Sequence, residues 1–283
     1  MVSVGGGLRE YRVGGRQLLD GYGAGEMCSA ARGQPLIPWP NRLRDGRYEF
    51  HGEQHQVPLS EPDRHNAIHG LVRWSNWSVR QLQSHRVTVG HTLHPQPGYP
   101  FLLDISITYE LSESGLRVEF LIGNEGEDVA PVGAGQHPYL LPPGGSLDES
   151  VLQLPAETWL ETDERQIPTG EASVADTEYD LRAGRKIGSI HLDTAFADLQ
   201  RDADGIFSLR LTDGERSIRV WLDGQFKYVM AFTGDTLPDP HARRRSLGVE
   251  PMSCPPNALQ TGKDVVPLEP GQCWRGSWGI QPE

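Results

Sequence analysis

The chain has 283 residues and a formal net charge of −12. This acidic balance argues against a nucleic-acid or anionic-membrane surface, because such surfaces carry a basic excess. No apolar run approaches the roughly 18 residues that a membrane span requires, and residues 1–15 lack the basic and apolar regions of a signal peptide. Three scattered cysteines do not make a disulfide framework, so we expect a cytoplasmic protein.

Alternating apolar and polar residues predict strands along most of the chain. Residues 104–111 carry apolar side chains at odd positions and polar ones at even positions, as in a strand with one buried face. Glu113, Ser114 and Gly115 then turn the chain into a second alternating segment over 116–120, which predicts a hairpin. The same pattern recurs over 207–211 and 218–222 around a turn at Asp213 and Gly214.

Further strands are predicted over 77–82, 87–93, 151–154 and 228–232, whereas no amphipathic helix longer than two turns is evident. The 33 glycines and 22 prolines are spread as loops between strands would spread them. Neither an internal repeat nor a low-complexity linker divides the chain. We therefore predict an all-β protein, with residues 1–283 forming a single large antiparallel β-sandwich domain.

Two short segments combine a lone titratable side chain with a stiff backbone. Glu250 is the only charged residue of 248–258, a segment with three prolines, and His137 stands among glycines and a proline in 133–139. Proline restricts its own φ and the conformation of the residue before it, so the segment around Glu250 is poorly suited to a helix or a central strand. The pair suggests general acid–base chemistry. The alternative is a glutamate that caps a helix or is buried for structural reasons, together with a surface histidine.

Other segments carry groups that suit recognition of a polar ligand. Asn41 and Arg42 follow Trp39 and Pro40, and a planar guanidinium beside an amide can clamp hydroxyls or carboxylates. His69 stands between Ile68 and Gly70, and a neutral imidazole both donates and accepts one hydrogen bond. The alternatives are a solvated arginine, a core tryptophan and a histidine without a ligand.

Asp193 begins an apolar, strand-like run, where it either accepts hydrogen bonds from ligand hydroxyls or is a turn residue; taken alone, the turn is favoured. Several other classes of site are not supported. The histidine pairs 51/55 and 65/69 have a spacing that suits a metal only on a helix, and no metal site is expected. Neither a dinucleotide fingerprint nor a nucleophile elbow is present. The run 243–245 of three arginines indicates a solvated loop, with a phosphate site as the alternative.

Taken together, these segments resemble the aldose 1-epimerase (mutarotase) family, from Pro38–Arg42 through the Glu250 segment to 278–280. The match is specific because of the order and spacing of five short segments, and no single segment would be enough. The resemblance implies a large antiparallel β-sandwich, with Glu250 as general base and His137 as general acid. It also implies that Arg42, His69 and Asp193 bind the sugar hydroxyls, with Asn41 and Tyr139 close by.

The residue types suit that reaction. A pyranose exchanges its α and β forms by ring opening, rotation about C1–C2 and reclosure. Opening needs one group to take the proton of the C1 hydroxyl, as an ionised Glu250 can, and one to protonate the ring oxygen, as a protonated His137 can. Neither a metal nor another cofactor is required, and the expected partner is a small sugar. We expect a monomer or a homodimer.

The sequence also departs from the family pattern. Gln136 precedes the histidine where the family commonly has Asn, and Met230 and Phe232 replace the Gln and Tyr of a family strand, which puts galactose specificity in doubt. Arg73 follows the His69–Gly70 pair, as an arginine does in the hexose-6-phosphate epimerase branch. Arg73 and the run 243–245 are then candidates to hold a phosphate, because arginine forks match phosphate oxygens. The remaining alternative is a non-catalytic sugar-binding or sugar-sensing protein of the same fold.

Overall fold

The computed structural model describes all residues from 1 to 283, and the chain is folded almost entirely as antiparallel β-structure. The only α-helix, α1, is the four-residue segment Ala258–Thr261, and two short 3₁₀ turns span Pro62–Arg64 and Pro240–Ala242. None of these helices is long and apolar enough to cross a membrane.

The 25 strands have the following bounds in chain order: β1 Arg12–Val13, β2 Arg16–Gln17, β3 Pro35–Leu36, β4 Arg42–Arg44, β5 Arg47–Phe50, β6 Glu53–Gln56, β7 Asn66–Ile68, β8 Ser78–Leu82, β9 Arg86–Leu93, β10 Leu103–Ser112, β11 Gly115–Asn124, β12 Ala130–Val132, β13 Gly135–Gln136, β14 Tyr139–Leu140, β15 Val151–Gln153, β16 Ala156–Thr162, β17 Pro168–Ser173, β18 Arg185–Lys186, β19 Asp193–Leu199, β20 Phe207–Thr212, β21 Ser217–Leu222, β22 Tyr228–Phe232, β23 Leu247–Met252, β24 Val266–Leu268 and β25 Cys273–Pro282.

The larger sheet has nine strands in the order β18-β15-β20-β21-β25-β11-β10-β9-β8. Both predicted hairpins lie in it: β10 pairs with β11 and β20 pairs with β21. Ile105 and Ile107 of β10 are fully buried while Ser106 between them is half-buried, so the alternation does mark one buried face here. The all-β antiparallel architecture predicted from the sequence is confirmed.

The second sheet has eight strands. Seven follow the order β17-β16-β19-β22-β23-β13-β3, and β14 pairs with β23 beside β13. One hydrophobic cluster of 54 buried residues includes side chains from both large sheets, such as Phe120 and Ile107 of one and Phe196 and Val229 of the other. The Trp278 indole N–H of β25 donates to Gln136 Oε1 of β13 over 3.2 Å, so a buried hydrogen bond also joins the two sheets.

The prediction that the Glu250 segment is unsuited to a central strand is wrong. Residues 247–252 form β23, which lies between β22 and the short strands β13 and β14. The N–H groups of Val249 and Ser253 donate to Pro138 O and Ala134 O, so Pro251, midway between them, faces the same neighbour. That neighbour is interrupted between β13 and β14, and proline therefore stands where no ladder hydrogen bond is lost.

Candidate active site

The candidate site lies on the face of the eight-stranded sheet that points away from the nine-stranded sheet. Glu250 is paired in register with Met230, and Asp193 with Phe232. Met230 belongs to a small apolar cluster separate from the main core, whereas its neighbour Val229 belongs to the main core. Because side chains alternate between the faces of a strand, Glu250, Asp193 and Phe232 share the outer face with Met230.

Glu250 and His137 are in contact at the floor of this face. His137 follows β13 and precedes β14, in the interruption opposite β23, and its Nε2 lies 3.1 Å from Glu250 Oε1. Both side chains are almost fully buried, with exposed fractions of 6% and 3%. The second carboxyl oxygen of Glu250, Oε2, has no hydrogen-bond partner in the protein. The pair is thus preformed, with one carboxyl oxygen free.

Burial disfavours the charged forms of both groups. It raises the pKa of Glu250 to about 8, with the nearby Asp193 carboxylate as a further cause. It lowers the pKa of His137 to about 3, and the positive charges of Arg73 and Arg32 act in the same direction. Around neutral pH the pair therefore holds one proton, which the 3.1 Å contact allows the two groups to share.

Tyr139 supports the imidazole of His137. The two rings are stacked with centroids 4.7 Å apart and an angle of 4° between their planes. The Tyr139 hydroxyl donates to Ala30 O over 3.1 Å, and the Arg32 guanidinium lies 4.7 Å from the centre of the tyrosine ring. The structure thus places the phenol ring as packing for His137, and its predicted contact with a sugar stays a prediction.

His69 stands edge-on to His137, with ring centroids 5.3 Å apart. Its Nδ1 accepts the backbone N–H of Asn41 over 3.2 Å, which fixes the proton of the neutral imidazole on Nε2. Burial, together with the charge of Arg73, lowers the pKa of His69, so the ring stays neutral. Asn41 acts here through its backbone, while its Oδ1 accepts the Arg42 N–H over 2.9 Å.

Arg42 and Asp193 provide the charges that act on Glu250. The Arg42 guanidinium binds Glu61 through both carboxylate oxygens, at 2.9 to 3.2 Å. Asp193 is the first residue of β19, so it does not stand in the turn that its sequence context favoured. No protein hydrogen bond to its carboxylate is present, and burial raises its pKa. The Asp193 carboxylate is therefore free to accept a hydrogen bond from a ligand hydroxyl.

Arg73 lines the same site, but the arginine run 243–245 does not. The only side-chain hydrogen bond of Arg73 is a 3.4 Å contact with Ile68 O. In contrast, Arg244 binds Asp148 and Asp235 at 2.7 Å each and Arg245 binds Asp20. The interpretation of the run as a solvated loop is therefore wrong for Arg244, which is half-buried, whereas Arg243 and Arg245 are exposed as expected. Because carboxylates occupy the guanidinium groups of Arg244 and Arg245, the structure does not support a phosphate site there.

One cavity of about 560 Å³ collects the eight residues predicted to act in catalysis or to bind the substrate. Those that line it are Asn41, Arg42, His69, Arg73, His137, Tyr139, Asp193 and Glu250. The volume falls within the usual range for small-molecule sites, roughly 300–1,000 Å³. These side chains come from widely separated parts of the chain, so their convergence is a property of the fold.

Comparisons with known proteins decide the family. The aldose 1-epimerase family model matches residues 1–281. The chain belongs to the aldose 1-epimerase family. It is 36% identical to the uncharacterized protein YihR of Escherichia coli K12 over 273 residues, which cover 96% of this chain and 86% of that protein.

Two further comparisons give a partial relative and a protein of the same fold. It is 28% identical to human galactose mutarotase over 155 residues, 52% of this chain and 44% of that enzyme. In fold it matches a GalM/aldose epimerase homologue from C. elegans, with a TM-score of 0.88, 18% identity, and coverage of 99% of this chain and 94% of the other. The family and the fold are thus those that the sequence resembled.

Some residues that line this cavity were not predicted from the sequence. Glu61, the partner of Arg42, is one, together with Arg64 and Trp74. Nothing around Glu61 in the sequence distinguishes an acid that holds a binding arginine from a solvated loop residue. Phe232, which replaces a family tyrosine, also lines the cavity and presents only an apolar ring there.

Three of the site residues are also of the kinds that bind metal ions in proteins. Ligand atoms of His69, His137 and Glu250 lie within 4.8 Å of one another. However, His69 Nδ1 already accepts the Asn41 N–H, and His137 Nε2 is in contact with Glu250. A cation bound between the last two would replace the proton that they share.

Proposed function

We propose that this protein is an aldose 1-epimerase that interconverts the α and β anomers of a free aldose by acid–base ring opening and reclosure. The observation that carries the proposal is the buried His137–Glu250 pair, in contact over 3.1 Å at the floor of a cavity lined by hydroxyl-binding groups. The membership in the aldose 1-epimerase family supports the same reaction.

In the proposed mechanism the reactive form of the pair carries the shared proton on His137 and has Glu250 ionised; this is the minor form at neutral pH, because burial favours the neutral pair. The free Oε2 of Glu250 takes the proton of the anomeric hydroxyl while His137 protonates the ring oxygen. Ring opening thereby leaves a neutral acid and a neutral imidazole, which are the forms that burial favours in both groups. After rotation about C1–C2, each group reverses its role and the ring closes.

Asp193, Arg42 and His69 are the proposed groups for the sugar hydroxyls. Asp193 supplies a carboxylate acceptor without a protein partner, and His69 supplies its Nε2–H. Arg42 is held in place by Glu61, so its guanidinium loses little conformational freedom when a sugar binds. These contacts hold the ring oxygen and the anomeric hydroxyl against the catalytic pair.

The test is mutarotation of fresh α-glucose and α-galactose, followed by polarimetry or NMR exchange. Glu250→Gln and His137→Asn should each lower kcat/KM by about 10²-fold or more, the usual contribution of a positioned acid or base. Exposed Glu113→Gln and His94→Asn serve as matched controls and should behave as wild type. Wild-type rates in either pair variant would overturn the assigned roles. Sugar binding without acceleration of any aldose would favour the sugar-sensing alternative.

A second candidate is an epimerase for an aldose with an anionic group at C6, such as a hexose 6-phosphate. The unpaired guanidinium of Arg73 favours it, because the Arg73 charge acts on both His69 and His137. The exocyclic C6 is attached next to the ring oxygen, so an anion there lies on the His137 side of the sugar.

This candidate predicts that Arg73→Gln lowers the ratio of kcat/KM for glucose 6-phosphate to that for glucose by about tenfold, the equivalent of one charge-assisted hydrogen bond. Arg275→Gln, an exposed arginine of the other sheet, should leave the ratio unchanged. A ratio that does not respond to Arg73→Gln would reject the anionic substrate and leave the neutral aldose.

A further inference from the structure

A second cavity of about 240 Å³ adjoins the candidate active site. Asp193, Phe232 and Thr236 line both cavities, so the two spaces meet at these residues. The volume is that of roughly eight liquid waters at about 30 Å³ each, which is room for one pyranose ring. None of the groups assigned to the reaction lies in this space apart from Asp193.

The second cavity lies where the pairing of two strands ends. β16 and β19 are paired from Ala156 to Trp159, and no pairing joins them beyond Trp159. The end of β16, with Leu160 and Thr162, lines one side, and the start of β19, with Asp193, lines another. The gap between the strands is therefore open at the edge of the active site.

An aromatic pair lines this gap. The rings of Trp159 and Tyr179 lie 4.4 Å apart with an angle of 48° between their planes, and both side chains are half-buried. Aromatic rings with part of their surface exposed in a cavity offer an apolar face, which suits the C–H face of a sugar. Such a pair does nothing for proton transfer at the anomeric carbon.

Gln166 supplies a polar side chain on a well-fixed turn that lines the same cavity as the aromatic pair. It stands in a turn where Asp163 Oδ1 accepts the N–H groups of Arg165 and Ile167 at 3.0 and 2.9 Å. The Arg165 guanidinium binds Asn66 Oδ1 at 3.1 Å and so ties the turn to the segment next to Glu61. The Gln166 amide N–H₂ has no acceptor in the protein and is free to donate to a ligand.

The charges of this cavity suit neutral hydroxyls. Asp193 and Asp235 line it, and Asp235 is fixed by a 2.7 Å contact with Arg244. His191 and Tyr179 are the other titratable side chains, and no arginine or lysine lines the space. Carboxylate oxygens accept hydrogen bonds from hydroxyls and repel anions, so an uncharged polyol fits better than a phosphate.

We propose that this second cavity binds a second sugar unit, so that the preferred substrate is a neutral reducing disaccharide. Its reducing unit lies against His137 and Glu250, and its other unit lies on Trp159 and Tyr179 with a hydroxyl on Gln166. This inference rests on the proposed epimerase function, because only a reducing unit undergoes the reaction.

The experiment compares kcat/KM for mutarotation of glucose with that for reducing glucose disaccharides of different linkage. In the wild type at least one disaccharide should exceed glucose. Gln166→Ala and Trp159→Leu should each lower the ratio of that disaccharide to glucose by about tenfold, as expected for the loss of one hydrogen bond or one stacking contact. Gln81→Ala, an exposed glutamine on β8, is the matched control and should leave the ratio unchanged.

Calorimetric titration separates the failure of this inference from that of the proposed function. If no aldose is accelerated at all, the epimerase assignment fails, but tighter binding of a disaccharide than of glucose, lost in Gln166→Ala, still supports the second subsite. If glucose is accelerated and neither variant changes the disaccharide ratio, the second subsite is rejected. Disaccharides that react more slowly than glucose throughout would also reject it.

Discussion

Glu250 owes its protonation behaviour to burial, and this has a consequence for stability. Its pKa is raised from an ordinary value of 4.5 to about 8 in the folded protein. Between these two values the unfolded chain has lost the Glu250 proton while the folded chain keeps it. The folded state then binds more protons, so this group makes the protein less stable as the pH rises from about 4.5 to about 8.

Glu250→Gln should remove this contribution. We predict that the stability of the variant, relative to wild type, rises by up to about 1.4 kcal/mol for each pH unit across that range and levels off above it. Urea unfolding at several pH values measures the difference. Exposed Glu113→Gln is the control and should show a difference that does not change with pH. If the stability difference between Glu250→Gln and wild type did not change with pH, the buried carboxyl would ionise as freely as in the unfolded chain.

At the scale of single residues, the sequence indicated which side chains form the site but not which groups they contact. Glu250 and His137 stand out because no other charge lies near either of them along the chain. Glu61 does not stand out, because its contact with Arg42 exists only after β4 and β7 pair. The hydrogen bond of the Tyr139 hydroxyl to Ala30 O was equally hidden, since it is set by long-range packing.

The strands show why a local rule succeeds in some elements and fails in others. The hairpins β10–β11 and β20–β21 are local, so alternation and turn residues were enough to predict them. β23 was excluded because of its proline, yet Pro251 faces the interruption between β13 and β14. A proline rule applied to one strand cannot anticipate a gap in its neighbour.

The connection after β7 depends on a glycine that no other residue can replace. Gly70 has a φ of +68°, and a Cβ at this position would lie 2.0 Å from the Ile37 carbonyl oxygen. Gly52 has a similar φ of +84° but nothing within 4 Å of a Cβ. The two glycines therefore share the conformational requirement, and only Gly70 also has a steric one.

We predict that Gly52→Ala costs about 1–2 kcal/mol of stability, the usual cost of a left-handed alanine. Gly70→Ala should cost at least about 2 kcal/mol more, because the backbone at Ile37 must move. Thermal or urea unfolding of both variants measures this difference. Equal losses of stability in the two variants would show that the backbone at Ile37 moves aside without a cost in free energy. Gly70→Ala should also lower activity, since His69 is adjacent.

At the scale of the whole molecule, the order of strands could not be predicted from local patterns. β25, at the C-terminal end of the chain, pairs with β11 and β21 and thereby joins the two halves of the nine-stranded sheet. Such pairings join distant segments, and their register follows from which faces are buried in the finished sandwich. Composition and alternation gave the class of fold, and the resemblance to a family gave its arrangement.

The two sheets are also coupled through a polar group next to the site. Trp278 of β25 is fully buried and donates its indole N–H to Gln136 Oε1, one residue before His137. The Gln136 amide N–H₂ donates to Gly33 O and to Tyr109 Oη, at 3.0 Å each. Gln136, which stands where the family commonly has Asn, therefore points into the sandwich and ties the segment of His137 to the opposite sheet.

We predict that Trp278→Phe destabilises the protein by about 1–3 kcal/mol, because it leaves Gln136 Oε1 buried without a donor. Trp74→Phe is the matched control: this side chain is 55% exposed, and its stability change should stay within about 0.5 kcal/mol. Urea unfolding of both variants at one pH measures the difference. If the two changes were equal, the hydrogen bond between the sheets would not contribute to stability, and packing alone would hold the histidine segment against the opposite sheet.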